Sequence, residues 1–272
     1  KVCAMNISKC YSNLIKLVAA VLFSVISVTS FAEECKDAVV LVHGNTGKPS
    51  DWNNTYQKLM SDGYYEDQIF RPDWGSKFCP SCNNHSGSEE YPVRDAIEAA
   101  VNTSCTGKVD VIGHSMGVTL AAQQILKLDV ADKIDTFVGI AGAWKGLWSC
   151  GVYPFNVWSS TCGSSGLSIS SPLLDSLENN KIADKVYSMK SYMDEIVCGT
   201  GVCLVNGSHS SQIDGEIDSF TYAYGHFGLQ LFTSSKQIEL INTPAIETTT
   251  NTQTSDDSYM TAEEEELYGS YW

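Results

Sequence analysis

Apolar and polar residues follow one another in blocks along this chain. AVVLVHG at 38–44 is a continuous β-branched run, the pattern of a strand buried on both faces. SDWNNTYQKLM at 50–60 carries Trp52, Tyr56 and Leu59 on one helical face, which predicts a helix with Ser50 as N-cap and Asp51 in its first turn. QIFRPDW at 68–74 predicts a short strand that Pro72 confines to an edge or an end. YPVRDAIEAAVN at 91–102 returns to helical spacing through Val93, Ile97 and Val101. KVDVIG at 108–113 reads as a strand, and MGVTLAAQQILKL at 116–128 as a helix that starts almost where the strand stops.

The rhythm continues with a strand at IDTFVGIAG (134–142) and a helix at SPLLDSLENN that Ser171 and Pro172 begin. A strand at KVYSMKSYM (185–193), a strand-like SFTYAY (219–224) and a last helix after His226 complete it. Strands alternating with helices predict an α/β fold with a mostly parallel sheet and helices on both faces. Two segments depart from this. Residues 143–171 are rich in Gly, Ser and aromatic rings, and hold Trp144, Trp148 and Trp158. They read either as a disulfide-pinned cover over one end of the sheet or as a flap whose rings line an apolar substrate cleft. Residues 247–272 have no periodicity, no Lys or Arg and seven acids, the composition of a disordered acidic tail.

The N-terminal residues read as an address. Lys9 and Lys16 precede an apolar run at 17–28 and the small residues Ser30 and Ala32, which together predict an export signal over 1–32, with 1–4 as an extension ahead of Met5. The run is shorter than the roughly 20 residues that span a bilayer, so stable membrane insertion is not expected. The catalytic domain is then 33–246, in a secreted or periplasmic protein expected to act as a monomer.

Export makes the cysteines legible. Beyond residue 32 there are eight, an even set suited to an oxidising compartment. Sequence neighbours suggest Cys79–Cys82, Cys150–Cys162 and Cys198–Cys203, which leaves Cys35 with Cys105. FCPSC with His85 three residues on could also be read as a redox pair or half a zinc site. No second ligand pair at zinc spacing accompanies it, so a structural disulfide is the expectation and no metal is predicted. The formal charge of −15 adds a strong exclusion, because such an acidic surface repels phosphate backbones and argues against nucleic-acid binding.

Candidate chemistry centres on Gly113-His114-Ser115-Met116-Gly117. G-x-S-x-G between a buried strand and a helix presents a serine on a sharp turn. A serine hydroxyl needs a base and an acid to become a nucleophile, and the chain order for such a turn is serine, acid, histidine. Only His209 and His226 follow Ser115; His209 sits in the polar NGSHSS, whereas His226 follows a strand and is favoured. Asp194, just after a strand, is the acid of choice over its neighbour Glu195 and over Asp175 and Asp184. The backbone N–H groups of Met116 and of Asn45, in VHGNTG, are the expected oxyanion donors. His43 reads as structural.

LVHGNTG, VIGHSMGV, MDEIV and YGHFGL at these relative positions resemble secreted lipases and esterases of the α/β-hydrolase superfamily, most closely the small class 2 triacylglycerol lipases. The resemblance spans about residues 36–243. It implies an α/β-hydrolase fold, Ser115, Asp194 and His226 as catalytic residues, an oxyanion hole from Asn45 and Met116, a lipid or small ester substrate, and no cofactor. Many such lipases carry a Pro-His pair after the strand that ends VGIAG, where this chain has AWKGLW. The alternatives are the same triad acting on another acyl substrate (a polyester, thioester or amide) or in acyl transfer, and an exported binding protein that keeps the fold without turnover.

Overall fold

The computed structural model describes residues 35–244; the segments 1–32 and 247–272, read above as an export signal and an acidic tail, lie outside the described residues. Ten strands and six α-helices follow one another as β1 (Ala38–Val42), α1 (Asn53–Ser61), β2 (Ile69–Phe70), α2 (Glu90–Thr103), β3 (Val109–His114), α3 (Met116–Leu128), β4 (Ile134–Ile140), β5 (Leu147–Val152), β6 (Ser168–Ile169), α4 (Pro172–Leu177), β7 (Lys185–Lys190), β8 (Leu204–Val205), β9 (Ser208–His209), β10 (Asp218–Thr221), α5 (His226–Phe232) and α6 (Ser234–Ile241). Six of the strands form one sheet in the order β10-β7-β4-β3-β1-β2, and every neighbouring pair in it is parallel.

The uninterrupted apolar runs are explained by the two faces of that sheet. Val40 and Val42 point to a core shared with Val93, Ile97 and Ala100 of α2 and with Val118, Leu120 and Ile125 of α3. Val39 and Leu41 point the other way, to a core shared with Trp52, Leu59 and Ile238. Alternate side chains of one strand thus serve opposite cores, so no position on β1 is free to be polar.

Chain order within the sheet fixes where a site forms. From β1 the chain crosses outward to β2 at the edge, then returns to β3 on the other side of β1. Connections leaving β1 and β3 diverge there, and a crevice opens at their carboxyl ends. Val42 is level with Gly113, and His114 with Ile140, so the residues after β1 and β3 share that edge.

Local details differ from the sequence expectations at three places. The first helix enters through a 3₁₀ turn, Pro49–Trp52, so Ser50 lies inside the turn, while Asp51 Oδ2 accepts the Lys48 N–H at 2.9 Å. The strand expected to run to Met193 ends at Lys190, and a tight turn follows. The 143–171 stretch is not all loop, because β5 and β6 pair within it. Ser171 does cap α4, accepting the Leu174 N–H at 3.2 Å with Pro172 behind it.

Among the described residues four disulfides join Cys35 to Cys105, Cys79 to Cys82, Cys150 to Cys162 and Cys198 to Cys203. No helix of the described residues is long and apolar enough to cross a membrane.

Candidate active site

Ser115 stands between β3 and α3 with φ 55° and ψ −130°, a backbone conformation that costs a residue with a Cβ roughly 1–3 kcal/mol. Three contacts hold it there. Its N–H donates to the Ile140 carbonyl at 2.8 Å, across to the neighbouring strand. A Cβ on Gly117 would meet the carbonyl oxygens of His43 and Val42 at 2.4 and 2.5 Å, and one on Gly113 would meet the Val118 backbone at 2.8 Å. The two glycines of the motif are therefore required by close backbone approach, with α3 drawn tightly over the end of the sheet.

Met116 is the first residue of α3, so its N–H has no acceptor within the helix and points with the positive end of the helix dipole. Facing it is the loop after β1. A Cβ on Gly44 would lie 2.9 Å from Ser115 Cβ, which measures how closely that loop approaches the serine. The Asn45 side chain turns away to its own anchors, its Nδ2 donating to Pro80 O at 2.9 Å and its Oδ1 accepting from Asn83 Nδ2 at 2.6 Å. Asn45 and its anchor Pro80 both line the cleft beside Ser115.

On the far side, His226 opens α5, and its Nδ1 lies 2.9 Å from Asp194 Oδ2 and 3.0 Å from Oδ1. Asp194 Oδ1 also accepts the N–H groups of Ile196 at 2.9 Å and Val197 at 2.8 Å. Burial pushes the Asp194 carboxyl upward, but the His226 hydrogen bond, the imidazole's charge and the two amides outweigh it and hold the carboxyl below its ordinary value. An ionised acceptor at that position makes Nδ1 the protonated nitrogen and leaves Nε2 with its lone pair.

Ser115 and His226 line one cleft of about 510 Å³. The loop 44–47 and Pro80 line it, together with the apolar side chains of Ile196, Phe227 and Leu231. The three tryptophans are not among the residues that line this cleft, so of the two readings of residues 143–171 it is not the one with these rings along the cleft that the fold follows. Trp144 is buried in the core with its Nε1 donating to Asp214, Trp148 donates to the Leu204 carbonyl, and Trp158 is fully exposed near Tyr153 and Asn156. The segment reaches the site at second hand, where the Thr161 hydroxyl lies within hydrogen-bond distance of the carbonyls of Pro80 and Asn83, with one proton to give to either.

The remaining histidines are neutral pins. His43 Nδ1 donates to Gly44 O at 2.8 Å while its Nε2 accepts from Trp74 N at 3.3 Å, and its ring stacks on Trp74. His209, expected in a solvated loop, is buried: Nε2 donates to Ser191 O and Nδ1 accepts from Ser211 N. Neither cysteine-histidine combination offers a thiolate, since Cys79 is bonded to Cys82 and Cys198 to Cys203. Two residues at the site were not singled out by their sequence. His114 and Glu195 both bond to the backbone of His226.

Comparison with known proteins identifies the family and the fold. The sequence model of the family described as Lipase (class 2) matches residues 36–239. Among solved structures, the Bacillus licheniformis lipase BlEst2 in its mature form superposes with a TM-score of 0.54 at 13% identity, over 78% of this chain and 94% of that chain. Its propeptide form gives a TM-score of 0.56 at 13% identity, over 77% of this chain and 51% of that chain. At these identities the likeness is one of fold.

Proposed function

The chain belongs to the class 2 lipase family and is a carboxylic ester hydrolase, and on that premise we propose that it works through Ser115, His226 and Asp194 by way of an acyl-enzyme. Ser115 Oγ attacks the ester carbonyl as His226 Nε2 takes its proton, and the resulting tetrahedral oxyanion is met by the N–H groups of Met116 and Asn45. His226 then gives the proton to the departing alkoxide, the carbonyl re-forms, and an acyl-serine remains. Water, deprotonated by the same imidazole, releases the acid in a second passage through the oxyanion. Asp194 holds the ring in the tautomer that exposes Nε2 and stabilises the imidazolium formed in each half-reaction.

The observation that carries this reading is the buried Asp194–His226 pair opening on the same cleft as a serine held at φ 55°. The apolar lining of Ile196, Phe227 and Leu231 favours an ester with a hydrocarbon acyl chain. We read the protein as exported, which the four disulfides support. A fluorophosphonate probe tests the mechanism: the adduct should map to Ser115, disappear in Ser115→Ala, and parallel hydrolysis of nitrophenyl esters. An oxidised, folded wild type that neither labels nor hydrolyses them would overturn it.

A further inference from the structure

His226 is the first residue of α5, and its N–H is one of the donors a helix start leaves without an internal partner. The N-cap position is Gly225, which has no side chain to accept it. Glu195, 31 residues earlier, supplies the acceptor: its Oε2 takes the His226 N–H at 2.8 Å. Gly225 has φ −71°, which any residue adopts, so a glycine is not needed there for its conformation. It is needed for space, because a Cβ at Gly225 would lie 2.6 Å from Glu195 Oε2. The carbonyl of His226 is held as well, accepting from His114 Nε2 at 3.1 Å. His114 is fully buried and neutral, burial and the neighbouring His226 ring lowering it to about 3, and a neutral ring facing a carbonyl must carry its proton on Nε2.

Accepting the catalytic reading above, we propose that Glu195 is a positioning residue for the reaction: its carboxylate caps the His226 N–H through the space left by Gly225 while His114 holds the carbonyl, fixing the imidazole from its backbone as well as from Asp194. The arrangement links three parts of the site. Asp194 and Glu195 are consecutive, so one turn grips both the ring and the main chain of the base. That turn is itself held by the Ile196 and Val197 amides on Asp194. His114 directly precedes Ser115, so the register of the base is referred to the strand that carries the nucleophile. Asp194 alone fixes the Nδ1 end of the ring and leaves the Cα, about which the ring pivots, to the first position of a seven-residue helix, whose N–H has no partner within the helix. Proton transfer from Ser115 is sensitive to that pivot, since a displacement of about 1 Å at a reacting group costs on the order of 100-fold in rate.

The test compares the wild type with Glu195→Ala, Glu195→Gln, Gly225→Ala and the double variant Glu195→Ala/Gly225→Ala, using kcat and KM on soluble nitrophenyl butyrate. Rates are normalised by fluorophosphonate titration of Ser115, so that a loss of folded protein is not read as a loss of catalysis. Glu195→Ala should lower kcat about tenfold with KM little changed, as expected when an interaction that orients the base is removed. Glu195→Gln keeps an acceptor oxygen and should recover to within about threefold of wild type. Gly225→Ala should act by displacing the flexible Glu195 side chain, giving a similar loss, and the double variant should be no worse than the poorer single one. A wild-type kcat in Glu195→Ala, a Glu195→Gln as slow as the alanine, or losses that multiply in the double variant would each overturn the proposal. A wild type that cannot be titrated at Ser115 removes the catalytic reading itself, a failure visible before any variant is compared.

Discussion

The imidazole Nδ1 of His226 sits 2.9 Å from Asp194 Oδ2, and both side chains are almost sealed from solvent although 32 positions separate them in the chain. The carboxyl is held below its ordinary value in the fold, so pairing contributes stability above the pH at which the unfolded chain's Asp ionises. That contribution is lost as pH falls through the lower folded value. Asp194→Asn keeps the shape but offers the ring a different partner. We expect kcat to fall about 10⁴-fold with a much smaller change in KM, and the acid limb of the stability profile to flatten. Steady-state kinetics, and urea titrations between about pH 3 and pH 7, the range from carboxylate to imidazole ionisation, check both.

Strain at the turn gives a second prediction, separable from chemistry. Ser115→Ala removes the nucleophile but keeps a Cβ at φ 55°, whereas Ser115→Gly removes both. Relief of roughly 1–3 kcal/mol of strain, set against the roughly 0.5–1 kcal/mol that glycine loses through added freedom of the unfolded chain, leaves a net gain. Both variants should be inactive, and the glycine variant should unfold later than the alanine one by about 1 kcal/mol. Equal denaturant midpoints would mean that neighbouring groups impose no strain there.

How much of this was legible in the chain depends on range. Patterns read within a dozen residues survive: the all-apolar β1, the strand-to-helix turn at Ser115, the Ser171-Pro172 start of α4. What failed locally did so because a competing local bond won, as at Ser50, where the chain tightens into a 3₁₀ turn closed by Asp51. Long-range partners left little trace. In the sequence Glu195 is only the less favoured neighbour of Asp194, and it is the fold that brings it to the His226 N–H. A glycine directly before the base was the available signal, since its absent Cβ makes the room. Trp144 was grouped with Trp148 and Trp158 by composition, yet its indole finds Asp214 and the core while Trp158 stays in solvent. Aromatic content records neither direction nor depth.

A third expectation concerns acid stability away from the catalytic residues. His85 is fully buried, bonded to Thr119 Oγ1 at 2.7 Å and to the Ser165 carbonyl at 3.2 Å, and burial lowers it to about 4 from an ordinary 6.5. Below the ordinary value the unfolded chain takes up a proton that the folded ring refuses. Stability from this group is therefore complete above the unfolded value and declines as pH falls from there toward about 4. The slope is at most about 1.4 kcal/mol per pH unit. His85→Gln should make the wild-type pH dependence shallower by that order across the interval, measured as unfolding free energy at several pH values. An unchanged slope would show that the ring titrates alike in both states.

The disulfides should separate stability from activity. Cys35–Cys105 spans 70 positions and ties the entry of β1 to the end of α2, so in the chain-entropy account its loss costs about 4 kcal/mol. Cys79–Cys82 spans only three, for which the same account gives about 2 kcal/mol. Their neighbours reverse the ranking for catalysis. Pro80, inside the short bridge, lines the cleft and accepts the Asn45 side chain, whose main chain is the proposed oxyanion donor. The paired serine replacement at 35 and 105 should therefore lower the denaturation midpoint more while leaving kcat within about twofold, because its region lies at the opposite end of the strands. The pair at 79 and 82 should cost less stability but lower kcat by up to about tenfold, part of what removal of one oxyanion donor costs. If the two double variants changed kcat alike, the short bridge would have no bearing on how Asn45 is held.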